Sequence, residues 1–123
     1  MRHTVTDADT ATALGSGDVP VLATPRLIAW MEAATVRVAK PLLEAGRTTV
    51  GTAVRVEHRR ATAVGGGIEI TAMLTQNADG RRLIFSVLAI DDDEQIVAAG
   101  EIERAIVDRA RFLAGVSDTR TDH

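Results

Sequence analysis

Residues 24–58 decide the fold of this chain, and they read TPRLIAWMEAATVRVAKPLLEAGRTTVGTAVRVEH. Apolar residues recur at helical spacing through the first part of this stretch, at Leu27, Ile28, Met31, Val38 and Leu42. Thr24 is predicted to cap the helix through its side-chain oxygen, and Pro25 suits a first turn that needs no N–H. Gly46 is the predicted stop, and the residues from Thr48 to His58 then predict a strand.

Glu32 is the unusual residue of the predicted helix. At about 100° per residue, the apolar sector comprises Ile28, Met31, Thr35, Val38, Ala39 and Leu42. Glu32 falls at the edge of that sector, away from the basic residues of the helix. A carboxylate in such a setting, without a local basic partner, is typical of a working acid or base. The pattern equally allows Glu32 to extend past the apolar stripe to solvent.

His58 ends the predicted strand. Strict alternation places it on the same face as Val50, Thr52, Val54 and Val56, with Gly51 on the other face. A histidine titrates near neutral pH, which suits a proton shuttle. A single histidine at a strand end is also a common structural feature, so both interpretations stand at this point.

The rest of the chain predicts an antiparallel sheet and therefore the α+β class. Leu83–Ile90 is apolar on both parities apart from Ser86, so it is predicted to be a central strand covered on both faces. The glycines at 65–67 are predicted to form a turn, because no helix follows that would bind a phosphate. The other predicted elements are a strand at Arg2–Val5, a helical turn at Ala11–Leu14, strands at Ile68–Gln76 and Gln95–Val107, a terminal helix at Asp108–Val116 and a disordered end at Ser117–His123.

Length and composition limit the possible functions. With 123 residues, 46% of them hydrophobic, residues 1–123 are predicted to form a single domain with one aliphatic core. A net charge of −3 gives no indication of nucleic acid or a membrane as a partner. The absence of cysteine excludes disulfides and thiol chemistry, and without a signal peptide or membrane span we predict a cytoplasmic protein. The histidines are scattered, so no metal site is predicted.

Several of these residues follow an order that resembles a known family. The order Thr24, Glu32, Gly51-Thr52, His58 and the later Glu103-Arg104-Ala105 is similar to that of the fluoroacetyl-CoA thioesterase family of hot-dog proteins. The resemblance covers nearly the whole chain after residue 20. It implies a hot-dog fold, in which one long central helix is wrapped by a five-stranded antiparallel sheet. It also implies a homodimer with its sites at the subunit interface.

The same resemblance implies an enzyme that hydrolyses an acyl-CoA thioester, with coenzyme A as part of the substrate and no separate cofactor. Thr24, Glu32 and His58 are the implied catalytic residues, which supply the attacking oxygen and its base. Either Thr24 or Glu32 attacks directly, or one of them positions a water molecule, while His58 shuttles the proton. Gly51 would let the substrate approach the backbone closely and would present its N–H.

Arginines are the implied contacts for coenzyme A. Arg104 interrupts the apolar row of the last strand, where its structural role would be an ion pair with Glu101 or Glu103. By resemblance, Arg104 instead lies near the active site and holds a carboxylate or touches coenzyme A. Candidates for binding the phosphates are the arginines at turns, Arg59, Arg60, Arg81 and Arg82, although arginines at turns are commonly just solvated.

The segment before the helix departs from the family pattern. The fluoroacetyl-CoA enzyme carries aromatic lid residues in this approach, whereas Gly15–Ala23 has no aromatic residue. We therefore predict no specific preference for fluoroacetyl-CoA over other small acyl-CoAs. The alternative function is that of a non-hydrolytic acyl-thioester-binding hot-dog dimer, and thiol release from acyl-CoAs distinguishes the two.

Overall fold

One long helix and five antiparallel strands make up most of the protein in a computed structural model that describes residues 1–121. The long helix, α2 (Thr24–Ala39), packs against the sheet, which confirms the predicted α+β hot-dog architecture. The strands are β1 (Arg2–Thr4), β2 (Arg47–His58), β3 (Gly67–Ala78), β4 (Arg82–Asp91) and β5 (Ile96–Asp108). The helices are α1 (Ala11–Leu14), α2 (Thr24–Ala39) and α3 (Arg109–Thr121), with short 3-10 turns at Asp7–Asp9 and Lys40–Leu42.

The strands form one sheet in the order β1-β3-β4-β5-β2. β4 is the central strand, as predicted, and pairs with β3 and β5. β1 is an edge of 3 residues, whereas β2 is an edge of 12 residues that pairs only with β5 in the described part of the chain. A long edge strand offers a row of unpaired backbone N–H and C=O groups. β2 is therefore the edge to which a strand of another chain can add.

The core lies between α2 and one face of the sheet. Leu27 and Met31 of α2 are fully buried there, in one cluster with Phe85 of β4. On the other face of β4, Ile84 and Leu88 are only half-buried. The prediction that β4 is covered on both faces is therefore wrong for a single chain, because α2 covers only one of them.

Both ends of α2 differ from the prediction. Thr24 is the first helical residue rather than the cap, and no side chain caps this helix start. The predicted capping role is wrong because the threonine hydroxyl is bonded to a side chain of β2 instead. The helix ends at Ala39 rather than near Gly46, since Pro41 has no N–H to continue it and the chain tightens into a 3-10 turn. Gly46 then adopts a φ of 83° in the turn before β2.

The terminal helix is longer than predicted. α3 begins one residue later than the predicted helix at Asp108–Val116 and continues to Thr121. The prediction of disorder from Ser117 is therefore wrong as far as Thr121. No proline or glycine interrupts residues 117–121, so the backbone can keep its helical hydrogen bonds. Residues 122–123, which that prediction included, lie outside the described residues.

A β-bulge interrupts β2 at Thr52. Gly51 lies opposite Arg104 of β5, and Ala53 lies opposite the preceding residue, Glu103. Thr52 is therefore an extra residue without an opposing partner, as in a β-bulge. Its hydroxyl donates to the Glu103 carboxylate at 2.7 Å. The alternation of β2 shifts by one residue at this point.

The bulge corrects the predicted faces of β2. Residues that lie directly opposite each other in an antiparallel pair share a face of the sheet. Val54, Val56 and His58 lie on the core face, as predicted, opposite the inward residues of β5. Thr49 and Gly51 share that face, while Val50 and Thr52 belong to the outer face. The predicted grouping of Val50 and Thr52 with His58 is wrong because one inserted residue reverses the alternation.

Candidate active site

Thr24 and His58 are in contact at one end of α2. Thr24 Oγ1 and His58 Nδ1 are 2.7 Å apart. α2 presents the threonine at its first residue, and β2 presents the histidine at its last. Both line a pocket of about 330 Å³, together with Arg59 and residues 16–19 of the approach segment. A hydroxyl within hydrogen-bond reach of an imidazole is the arrangement in which a base activates an oxygen nucleophile.

The imidazole of His58 is half-buried, and burial lowers its pKa below the ordinary value for histidine. The backbone of Arg60 raises the pKa of His58 by a smaller amount, although it makes no well-formed hydrogen bond with the ring. Nε2 of His58 is buried and has no hydrogen-bond partner within residues 1–121. His58 is therefore neutral near pH 7, with one ring nitrogen on Thr24 and the other available for a further hydrogen bond.

Glu32 and Arg104 form a second cluster on the core face of the sheet. Glu32 Oε2 lies 3.6 Å from Arg104 Nη1. Arg104 is only 7% exposed, and its Nε and Nη2 donate to the hydroxyl and carbonyl of Thr49 at 2.9 and 3.2 Å. These contacts fix the guanidinium so that it faces the carboxylate. Burial lowers the pKa of Arg104 and Glu32 raises it, and an arginine stays protonated in either case.

This cluster corrects two expectations. Glu32 does have a basic partner, which comes from β5 rather than from the helix. Arg104 pairs with neither Glu101 nor Glu103, because its core-facing side chain lies on the opposite face of β5 from both. Thr49, which holds Arg104, was not predicted as a site residue. Its side chain faces the cluster only because the bulge at Thr52 places it on the core face. A bulge leaves no clear signal in hydrophobic alternation.

Gly51 forms the wall beside this cluster. A Cβ atom at position 51 would lie 3.0 Å from Glu32 Oε2 and 3.5 Å from Arg104 Nη1. The missing side chain therefore lets the carboxylate approach the backbone of β2. The resemblance implies such a close approach for a substrate, and the substrate-binding roles of Gly51 and Arg104 stay predictions.

The two clusters are separate within one chain. Thr24 and Glu32 are eight positions apart on α2, which is about 12 Å along the helix axis. His58 and Gly51 are seven positions apart on β2, which is roughly 20 Å along a strand. The structure thus brings Thr24 to His58, and Glu32 to Arg104 and Gly51, but it keeps the two groups apart in a single subunit.

The four turn arginines considered for coenzyme A differ in their contacts. Arg60 forms an ion pair of 2.7 Å with an aspartate, and Arg82 pairs closely with a glutamate. Arg59 has a glutamate oxygen at 3.6 Å and lies beside the Thr24 pocket. Arg81 has no ionic partner among the side chains that the structure describes, those of residues 1–117. Arg81 is therefore the candidate with its charge free for a ligand.

Two further features concern metals and membranes. Among the side chains of residues 1–117, no group of three or more from His, Cys, Asp or Glu is placed to hold a metal ion. Among the helices described, none has the length and apolar character needed to cross a membrane.

Comparison with known proteins gives a consistent result. The family described as fluoroacetyl-CoA-specific thioesterase matches residues 5–110. A fluoroacetyl-CoA thioesterase from Streptantibioticus cattleyicolor is 40% identical over 96 residues, which cover 78% of this chain and 68% of that protein. The solved structure of the fluoroacetyl-CoA thioesterase FlK superposes with a TM-score of 0.88 at 32% identity, covering 96% of this chain and 90% of that one.

Solved structures of lower identity share the fold. A thioesterase superfamily member from Thermus thermophilus has a TM-score of 0.91 at 24% identity, covering 99% of this chain and 89% of that one. A hot-dog-like protein from Thermanaerovibrio acidaminovorans has a TM-score of 0.87 at 22% identity, covering 97% and 87%. At these identities the similarity is evidence for the hot-dog fold alone.

Proposed function

The chain belongs to the family of fluoroacetyl-CoA-specific thioesterases, and from this premise we propose that it hydrolyses the thioester bond of small acyl-CoAs. The observation that carries the proposal is the 2.7 Å contact between the Thr24 hydroxyl and the His58 imidazole in the wall of a pocket. Hydrolysis needs an attacking oxygen and a base for its proton, and this pair supplies both. We also propose a cytoplasmic location, since a chain without cysteine is compatible with a reducing compartment.

Two routes to hydrolysis fit this geometry. In the first, His58 takes the proton of Thr24 as Oγ1 attacks the carbonyl, coenzyme A leaves as the C–S bond breaks and takes that proton, and water then cleaves the threonine ester. In the second, Thr24 or Glu32 positions a water molecule, which attacks directly as His58 takes its proton, and coenzyme A leaves as the C–S bond breaks and takes that proton. Glu32 can also replace Thr24 as the nucleophile, in which case its carboxylate displaces coenzyme A from the acyl group and water cleaves the resulting anhydride. The developing oxyanion needs an N–H donor in every route, and the backbone of Gly51 is our candidate.

We propose that a homodimer brings Glu32 to the Thr24–His58 pair. β2 is an edge strand, and Val54 near its middle is 40% exposed. When such a strand pairs antiparallel with its own copy, positions on the two sides of the twofold axis face each other. An axis at position 55 would set Val54 opposite Val56 of the partner subunit and, because Thr52 is an extra residue, His58 opposite Gly51 of the partner subunit. Each site would then combine Thr24 and His58 of one subunit with Glu32 of the other.

Two inactive variants should regain activity when they share a dimer. We expect heterodimers of one His58→Ala subunit and one Glu32→Gln subunit, isolated through two different tags, to have about half the wild-type activity. The reason is that one of their two sites keeps both residues. Thiol release from acetyl-CoA measures it. The matched control puts both substitutions on one subunit and pairs it with wild type, and these heterodimers should be inactive. Activity in the control but not in the first mixture would place the whole site within one subunit.

Thiol release from a panel of acyl-CoAs tests the proposed activity, and the protein contributes no thiol of its own. We expect kcat/KM for fluoroacetyl-CoA and acetyl-CoA to differ by less than about a hundredfold, since one small group changes discrimination by about 1–3 kcal/mol. The approach segment Gly15–Ala23 has no aromatic residue that would sharpen this choice. A fluoroacetyl preference of about ten-thousandfold would contradict the expectation. Binding without any thiol release would instead indicate a non-hydrolytic acyl-thioester binder.

The pH dependence of kcat/KM should report the ionisation of His58. The base works only when neutral, so activity is lost as pH falls through the pKa of the free enzyme. Because burial lowers that pKa, the acid limb should lie below the ordinary value for histidine. The matched control is His3→Gln: His3 also has a pKa lowered by burial, but it lies on β1 at the opposite edge of the sheet. If the acid limb shifts in His3→Gln and stays unchanged in His58→Ala, the assignment to His58 is wrong.

A further inference from the structure

A second groove lies at the end of the sheet where β2 begins and β5 passes into α3. Its volume is about 540 Å³, and Ile106 and Phe112 form apolar parts of its wall. Three arginines line it, Arg47 from β2, Arg81 from the turn before β4, and Arg111 from α3. The groove shares no lining residue with the pocket at Thr24 and His58. Its most prominent feature is therefore a convergence of positive side chains from three separate elements.

These three guanidinium groups have no ionic partner within residues 1–117, whose side chains the structure describes, whereas Arg26, Arg60 and Arg82 are each paired with a carboxylate. The acidic residue of the groove, Asp108, accepts a hydrogen bond from the backbone N–H of Arg111 at 2.9 Å. Three free guanidinium groups beside one carboxylate make the groove positive in a protein whose net charge is −3. The guanidinium fork matches the oxygens of a phosphate group, so the groove fits a phosphorylated ligand.

A continuous strip of the sheet connects this groove to the Glu32–Arg104 cluster. Three opposed pairs of β2 and β5 follow one another along the core face. They are Gly51 with Arg104, Thr49 with Ile106, and Arg47 with Asp108. Four residues of strand separate Gly51 from Arg47, a distance of about 13 Å. A ligand with its reactive group at the cluster and a linear arm along this strip would place its other end in the groove.

We propose that the groove binds the phosphorylated adenosine end of the acyl-CoA substrate. This inference rests on the proposed function, and it assigns the phosphate contacts to Arg47, Arg81 and Arg111. An acyl-CoA has the required form, since a flexible pantetheine arm separates its thioester from its phosphates. Phe112, which is 40% exposed, offers an aromatic face on which the adenine can stack. Of the turn arginines considered from the sequence, only Arg81 takes part.

Removing two of these charges should weaken binding of coenzyme A without affecting the chemistry. We expect Arg81→Gln/Arg111→Gln to raise KM for acetyl-CoA by about tenfold or more, with kcat within about twofold, because two charge-assisted contacts to phosphate are lost. The acetyl thioester of N-acetylcysteamine has no phosphates, so its kcat/KM should be unchanged. Phe112→Ala should raise KM for acetyl-CoA but not for acetyl-phosphopantetheine, which lacks the adenosine. The matched control is Arg37→Gln, which removes an exposed arginine from α2.

The outcomes separate this inference from the proposed function. If the wild type hydrolyses acetyl-CoA and the arginine variant keeps the same KM, the groove assignment is overturned while the thioesterase function stands. An equal loss with the phosphate-free thioester would overturn it too, since the arginines would then act on the fold or the chemistry. If the wild type hydrolyses no acyl-CoA, the proposed function fails. Calorimetric titration with coenzyme A then decides: binding that the arginine variant loses supports the groove, and any other result overturns it.

Discussion

Replacing His58 with alanine should lower kcat for acetyl-CoA by about a hundredfold to a thousandfold, the usual loss when a general base is removed. The imidazole is the group within reach of the Thr24 hydroxyl, at 2.7 Å. Burial lowers the pKa of His58, so it is neutral and able to take a proton near pH 7. KM should change less than kcat, because the rest of the pocket remains. Steady-state thiol release measures both constants.

Substitutions of Thr24 show whether the histidine acts through the hydroxyl. Thr24→Ser keeps the hydroxyl and should keep kcat within about tenfold, whereas Thr24→Val keeps the shape and should fall to the level of His58→Ala, because residues that act as a unit lose activity together. Neither change removes a helix cap, since Thr24 makes no capping bond. Full turnover by Thr24→Val with a slow His58→Ala enzyme would leave water or Glu32 as the nucleophile. Wild-type turnover by His58→Ala would exclude the histidine from the chemistry.

Replacing Glu32 with glutamine should lower kcat by about a hundredfold to a thousandfold, again the range expected for a group that acts on the proton or positions water. The substitution keeps the size of the side chain and removes its negative charge. Arg104 holds the carboxylate from one side and is itself fixed by two hydrogen bonds to Thr49. The charge is therefore presented in a fixed place, and its loss should appear in kcat more than in KM. Single-turnover thiol release with acetyl-CoA separates the two.

A matched carboxylate tests whether this effect is specific. Glu101→Gln makes the same chemical change at an exposed position of β5, on the other face of the sheet from Arg104, and should leave kcat unchanged. The melting temperatures of both variants should be compared with that of the wild type, because Arg104 is buried and loses its counter-charge in Glu32→Gln. A Glu32→Gln enzyme that melts earlier but turns over normally would reduce Glu32 to a structural counter-ion.

The architecture was predictable because helix and strand periods are local properties of the sequence. The spacing of Leu27 and Met31 placed α2 correctly, and the doubly apolar Leu83–Ile90 correctly indicated the central strand. Boundaries were less predictable, since Pro41 ended α2 before the expected glycine. The capping role of Thr24 failed for a different reason. A threonine at a helix start suits a cap equally well, and only the distant His58 diverts its hydroxyl.

The family resemblance proposed the residues of the candidate site, but it did not indicate how one subunit arranges them. The order of Thr24, Glu32 and His58 pointed to them together, yet one subunit separates Glu32 from the other two. The partner of Glu32 is Arg104, 72 positions away on another element, and no local pattern reports such a contact. The sequence also could not show which arginines are unpaired, because whether an arginine is free depends on which carboxylates the fold brings near it.

Because Thr52 is an extra residue, the faces of β2 depend on the number of residues in the strand. Nothing in the sequence around Thr52 indicates this dependence. Deleting Thr52 would restore regular alternation and would move each side chain from Arg47 to Gly51 to the opposite face of the sheet. Thr49 would then leave Arg104, and the strip toward the arginine groove would be broken, although the strand could still pair with β5. An engineer who exchanges this strand between relatives therefore has to preserve the number of residues between Thr49 and His58. Matching their chemical character alone would not keep the two ends of the strand on one face.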